Sequence, residues 1–290
     1  MPPDFDIRTE EFQKRVLAPS SRVEVVADGF KFIEGPVWFA DEQALYFSDI
    51  FASKTMRWSA KDSVTVFHAE TGRANGNTRD LEGGLVTAGH GRKNIWRTEK
   101  DKSVTVLADR WQGKRLHSPN DIVVKSDGTI WFTDPPYLPK HHERELPGTY
   151  VFRFDPKTTE VAPVADDLLL PNGLCFSPDE RLLYIADSWR AHVRVFEVVE
   201  GKRLAKGRVF AEIHPGIPDG MRCDTEGRLY CTAGDGVQVF APNGTLLGKV
   251  LLPKAPANCA FGGSKRNELF ITAHDTLYHV ALAATGAGWC

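Results

Sequence analysis

NGLCFSPDERLLYIAD, residues 172–187, reads as a polar residue, an apolar strand, a tight turn and a second apolar strand. The same unit recurs along the chain. Its other copies are Glu34-GPVWFADEQALYFSD, Asn75-GNTRDLEGGLVTAG, Asn120-DIVVKSDGTIWFTD, Asp219-GMRCDTEGRLYCTAG and Asn258-CAFGGSKRNELFITA. Successive copies start 41, 45, 52, 47 and 39 residues apart, and a turn residue follows each polar residue by eight positions: Glu42, Gly83, Gly128, Glu180, Gly227, Arg266. A fixed period of this size names a repeat architecture.

Between the copies lie further alternating segments, TMRWSA (55–60), TYVFRF (149–154), HVRVFEVV (192–199) and GVQVFA (236–241). Period-2 alternation bounded by Gly, Asp and Asn is the pattern of hairpin strands. Four strands per repeat and six repeats predict an all-β six-bladed β-propeller. Two stacked β-sandwiches would not explain the near-constant spacing. A ring must close without leaving a sheet edge open. RVEVVAD (22–28) precedes the first copy, and TLYHVALA (276–283) completes only part of a last blade, so these two ends are expected to pair. The whole chain, 1–290, reads as one domain, with 1–20 an N-terminal extension carrying a short helix near Thr9–Leu17 outside the ring.

Composition narrows the partners. Lys+Arg 36 against Asp+Glu 38 gives a net charge of −2 without like-charge blocks, which disfavours nucleic acid and anionic membranes. No apolar run reaches the ~20 residues of a spanning helix, and the start MPPDFDIRTEEF is too acidic for a secretory signal. The expected setting is the cytoplasm, as a monomer or weak homodimer. Five cysteines (175, 223, 231, 259, 290) without a C-x-x-C pair exclude a structural zinc site. A Cys223–Cys231 cross-strand disulfide is conceivable, but buried free thiols are the expectation.

In a propeller the first strand of every blade lines the central channel, so Glu34, Asn75, Asn120, Asn172, Asp219 and Asn258 are predicted to ring one mouth. Asx residues cap turns, which would account for any one of them. Six oxygen-bearing side chains at one repeat position suit a hard divalent cation better. Calcium fits an all-oxygen shell, and Zn²⁺, Mn²⁺ or Mg²⁺ would accept the same residues. The second strand of each blade returns to this mouth, bringing Asp49, His90, Asp134-Pro-Pro-Tyr137, Asp187-Ser-Trp189 and Asp235 there. The 52-residue interval contains PPYLPKHHERELPG (135–148), expected to wall or cover the site.

Glu34-Gly35-Pro36, ANGNTRD (74–80), Ser118-Pro119-Asn120-Asp121, WFTDPPY (131–137), Pro171-Asn172-Gly173-Leu174 and Pro218-Asp219-Gly220 together resemble the gluconolactonase family, which includes the senescence marker protein and luciferin-regenerating enzyme. The resemblance implies a calcium-like ion held by Glu34, Asn172 and Asp219. It makes Asn120 a fourth ligand or a substrate contact, and Asp219 the proton-transferring group. Two motifs depart from it. Ala88-Gly89-His90 replaces a Cys-Glu-His triplet of bacterial members, and Ser118 stands where animal members carry Arg.

Lactone hydrolysis needs a polarised carbonyl and an activated water, which a cation and a nearby carboxylate supply. His90 or His117 could share the proton transfer, and Asn75, Asn120, His90, His117 and Tyr137 are the candidate substrate contacts. No G-x-S-x-G elbow, H-E-x-x-H motif or P-loop competes. The expected substrate is a sugar lactone such as glucono-1,5-lactone. One alternative is a promiscuous lactonase or organophosphate esterase using Trp38, Trp189, Tyr137 and Leu138 as an apolar wall. The other is a non-catalytic binding propeller.

Overall fold

The computed structural model describes residues 4–99, 101–138 and 140–288. Six antiparallel sheets succeed one another round a closed ring, and the first strands of successive blades touch in order back to the start. Those inner strands are Ile33–Phe39, Asn77–Arg79, Ile122–Val124, Pro171–Phe176, Met221–Cys223 and Asn258–Gly262. The last blade takes its outer strand, Glu24–Ala27, from the beginning of the chain. Glu24 pairs with His279 and Val25 with Tyr278, closing the ring as its open edge requires.

The apolar core is divided among the blade interfaces. Each of six buried clusters joins residues of two neighbouring blades, for instance Val123 and Trp131 of blade 3 with Leu174, Leu183 and Ile185 of blade 4. Trp38 belongs to such an interface. It stacks on Phe270 of blade 6 (centroids 5.4 Å, planes 9° apart) and so is no wall of the site.

The predicted turn residues adopt the left-handed backbone that tight reversals demand: Gly83, Gly128, Glu180, Gly227 and Arg266 all have positive φ. Blade 1 departs by one position. Its first strand runs one residue further, Phe39 pairs with Ala44, and Gln43 rather than Glu42 takes φ 47°.

The N-terminal stretch is tied to the ring. Phe5–Ile7 adds a fifth strand to blade 5, pairing Phe5 with Val250 and Ile7 with Gly248. The helix expected at Thr9–Leu17 is a wide turn over Phe12–Val16. Its fully buried Phe12 and Val16 join the cluster between blades 5 and 6. Gly248 makes room for it, since a Cβ there would lie 2.5 Å from the Phe12 ring.

Cys175, Cys223, Cys231 and Cys259 are buried free thiols. Cys223 lies opposite Leu229 and Cys231 opposite Met221, so the strands do not align these two sulfurs for a bridge. Cys290 lies outside the described residues. Among the described residues no helix is long and apolar enough to cross a membrane.

Candidate active site

Glycines make the mouth narrow. Gly35, Gly76, Gly173 and Gly220 come directly after Glu34, Asn75, Asn172 and Asp219. A Cβ on Gly35 would lie 2.3 Å from Asn75 O, one on Gly173 2.2 Å from Asp219 O, and one on Gly220 2.0 Å from Asn258 Cγ. Only glycine lets these four inner strands approach their neighbours so closely. The contacts are sealed by hydrogen bonds from Gly76 N to Asn120 O (2.8 Å) and from Gly220 N to Ala257 O (2.7 Å).

A second repeated device fixes the loops that deliver the polar residues. Asp49, Asp134 and Asp187, at the ends of the second strands, each accept two amide hydrogens from the segment before their own blade's polar residue. Asp49 takes Lys31 N and Phe32 N (3.1 and 3.2 Å), Asp134 takes His117 N and Ser118 N (2.9 and 2.8 Å), and Asp187 takes Leu169 N and Leu170 N (3.0 and 3.1 Å). These carboxylates sit at the same end of their blades as the mouth residues, where backbone amides engage them.

Glu34, Asn75, Asn120, Asn172 and Asn258 are buried, and Asp219 is partly exposed at the rim with protein atoms packed round its carboxyl. Burial pushes the Glu34 carboxyl up to about 7, with the charge of Asp121 adding to the effect. Burial and then the charge of Glu34 hold Asp219 well above the usual carboxylate range. The two carboxyls therefore repel one another across the mouth. Asn172 joins them: its Nδ2 donates to Ser188 Oγ (3.1 Å) and Tyr137 OH (3.2 Å). Asn75 Nδ2 donates to Asn120 Oδ1 (3.0 Å), which leaves Asn75 Oδ1 buried without a donor.

Two contributors escaped the sequence patterns. Asp121 comes after Asn120 where four other blades have glycine, and it is fully buried. Arg222, 5% exposed, stands 3.9 Å from Asp121 Oδ2 and donates to Met221 O (2.7 Å). Their charges reach Glu34, and the Asn258 amide approaches both carboxylates. A partly open cavity of about 80 Å³ also meets Arg222, but its lining includes none of the six mouth residues. Glu34, Asp121 and Asp219 against one guanidinium leave two negative charges in excess when ionised. Together with the orphaned Asn75 oxygen, that surplus of acceptors fits a divalent cation. Among the described residues no three His, Cys, Asp or Glu side chains form a metal-holding group by themselves, so amide oxygens would have to complete the shell.

Tyr137 stands over this cluster. Its amide donates to Ser118 Oγ (3.1 Å), which ties the start of the 135–148 segment to the loop before Asn120. Burial and then the charge of Asp219 raise its hydroxyl above the usual phenol range. His90 lies against Tyr137 (centroids 5.8 Å), and burial lowers its pKa to about 4, so it is neutral at pH 7. His117 is set apart. Its imidazole is buried beneath the same segment, in a pocket shared with Arg144 and Leu146 rather than with the carboxylates.

Residues 32–275 match the family model described as the SMP-30/Gluconolactonase/LRE-like region. A gluconolactonase from Zymomonas mobilis is 31% identical, over 93% of this chain and 84% of its own. A pentonolactonase from Haloferax volcanii is 28% identical, over 86% and 83%. The solved structure of a gluconolactonase from Xanthomonas campestris is similar with a TM-score of 0.91 at 34% identity, over 97% of this chain and 95% of that one.

Proposed function

The chain belongs to the SMP-30/gluconolactonase/LRE-like family, and from that membership we propose that it hydrolyses sugar lactones, glucono-1,5-lactone among them, to the aldonic acids. The observation that carries this reading is the pair of mutually repelling carboxyls, Glu34 and Asp219, gathered with Asn172 at the mouth of the ring. The lactonases it resembles match it over nearly the whole propeller.

Glu34, Asn172, Asp219 and Asn120 are assigned to holding one divalent cation, calcium by the all-oxygen character of the set. Such a cation supplies Lewis acidity toward the ester carbonyl and toward water. Asp219 receives a proton from the attacking water. Burial and the charge of Glu34 favour its protonated form, a tendency that a bound cation would oppose. The water oxygen bonds to the carbonyl carbon, the ring C–O bond breaks, and the proton passes from Asp219 to the departing ring oxygen. Tyr137, braced by Asn172, and the Asn75–Asn120 pair offer partners for the hydroxyls of the ring. Neutral His90, beside Tyr137, supports the same wall.

Acid release from glucono-1,5-lactone, monitored at constant pH above the spontaneous rate, tests the reading. Turnover is expected with calcium, to disappear with chelator and to return on adding calcium. Turnover indifferent to chelator would refute the role of the cation. A panel of sugar lactones left intact would refute the activity.

A further inference from the structure

Three exposed apolar side chains rise from three loops beside the mouth: Leu169 (48% exposed), Trp189 (75%) and Ile217 (50%). The loops are knotted together. Ser188 Oγ, next to Trp189, donates to Pro218 O (2.7 Å), next to Ile217. Ser188 N donates to Leu170 O (3.0 Å), and Leu169 N to Asp187 Oδ2. The centre of the knot, Ser188, also accepts the Asn172 amide, so the lip is anchored on a residue of the site.

The pedestal is tied down by its backbone and by Arg190. Ser188–Arg190 forms one tight turn, closed by Ala191 in the left-handed region (φ 53°). Arg190 Nη1 is gripped by Asp187 Oδ2 and Asp167 O, both at 2.9 Å. A tryptophan left this open forgoes roughly 25 cal/mol for every Å² of apolar surface that burial would hide from water. A cyclic sugar lactone has two kinds of surface. Its hydroxyls need the amides and hydroxyls of the well, while its C–H face needs an apolar partner. An aromatic ring, with only two side-chain torsions to order, supplies that partner at little entropic cost.

We propose that Trp189, flanked by Leu169 and Ile217, is the platform that receives the C–H face of the substrate ring and sets the preference for six-membered sugar lactones over small lactones without a sugar ring. The proposal rests on the lactonase reading above. Its test compares wild type, Trp189→Ala and Trp189→Phe. The kinetics use glucono-1,5-lactone and γ-butyrolactone, and calorimetric titration uses glucono-1,5-lactam, a ring that cannot be hydrolysed. Trp189→Ala is expected to raise KM for gluconolactone about tenfold, or about 1.4 kcal/mol, with kcat within about twofold. Lactam affinity should fall alike, Phe should restore most of both, and butyrolactone kinetics should not move. Unchanged KM and unchanged lactam affinity in Trp189→Ala overturn the platform. A wild type that opens no lactone overturns the activity instead, and the lactam titration then decides the platform separately, because it needs no turnover.

Discussion

Replacing Arg222 by Met should destabilise the metal-free protein by about 3–4 kcal/mol at pH 7. Arg222 is buried 3.9 Å from Asp121 Oδ2 and is the main force pulling down a carboxyl that burial pushes up. Two unit charges at that distance attract by roughly 4 kcal/mol at an effective dielectric of ~20. Removing one partner of a buried pair costs about 3–5 kcal/mol. The loss has a ceiling, because Asp121 can take up a proton instead. That uptake costs about 1.4 kcal/mol for each pH unit above the ordinary carboxylate pKa of ~3.9, hence about 4 kcal/mol at pH 7 and about 1.5 kcal/mol at pH 5. With Arg222 gone, the folded pKa of Asp121 rises further above its unfolded value, so the extra loss is present at high pH and fades as pH falls. Urea unfolding with chelator present measures it. At a slope near ~3 kcal/mol per M, the midpoint should drop by roughly 1 M at pH 7 and by under half of that at pH 5. The double variant Arg222→Met/Asp121→Asn should recover most of the difference. A single variant as stable as wild type, or a loss that the second substitution leaves in place, refutes the pairing.

Three further outcomes are expected from the same geometry. Glu34 keeps its proton in the folded protein up to about pH 7, whereas the unfolded chain releases it near the ordinary value. Metal-free stability should therefore fall as pH rises from about 4.5 to 7, and saturating calcium should flatten that slope in thermal melts. Asp219→Asn should reduce lactone turnover at least ~100-fold without lowering the melting temperature, since it removes a charge repelled by Glu34; retained turnover would mean that another group takes the proton. Gly220→Ala puts a methyl 2.0 Å from Asn258 Cγ. Overpacking of this kind costs about 1–3 kcal/mol, and both the urea midpoint and kcat/KM should show it.

Much of the fold and of the mouth was legible in the residues because the repeat supplies six readings of each position. The polar residue, the turn eight positions later and the ring closure at Glu24–Ala27 all come from period and alternation. What one copy does alone is harder to see. Asp121 and Arg222 stand where the other blades have uncharged residues, and their meaning lies in a charge contact between blades 3 and 5 that no local pattern encodes. The roles of Asp49, Asp134 and Asp187 were hidden for a different reason. A carboxylate at a strand end reads alike whether it faces a ligand or caps a loop, and only the amide positions decide. Phe5–Ile7 is too short to stand out, and its place on blade 5 depends on a partner some 240 residues away. His117 shares the channel mouth in sequence order, yet its ring packs beneath the 135–148 segment.

Calorimetric titration of calcium into chelator-treated protein tests the core of the account most directly. One site per chain is expected for wild type, with heat absent in Glu34→Gln/Asp219→Asn while both proteins keep the same β-rich circular dichroism. Binding of equal strength in the double variant, or none in wild type, would contradict a cation held at the mouth of the ring.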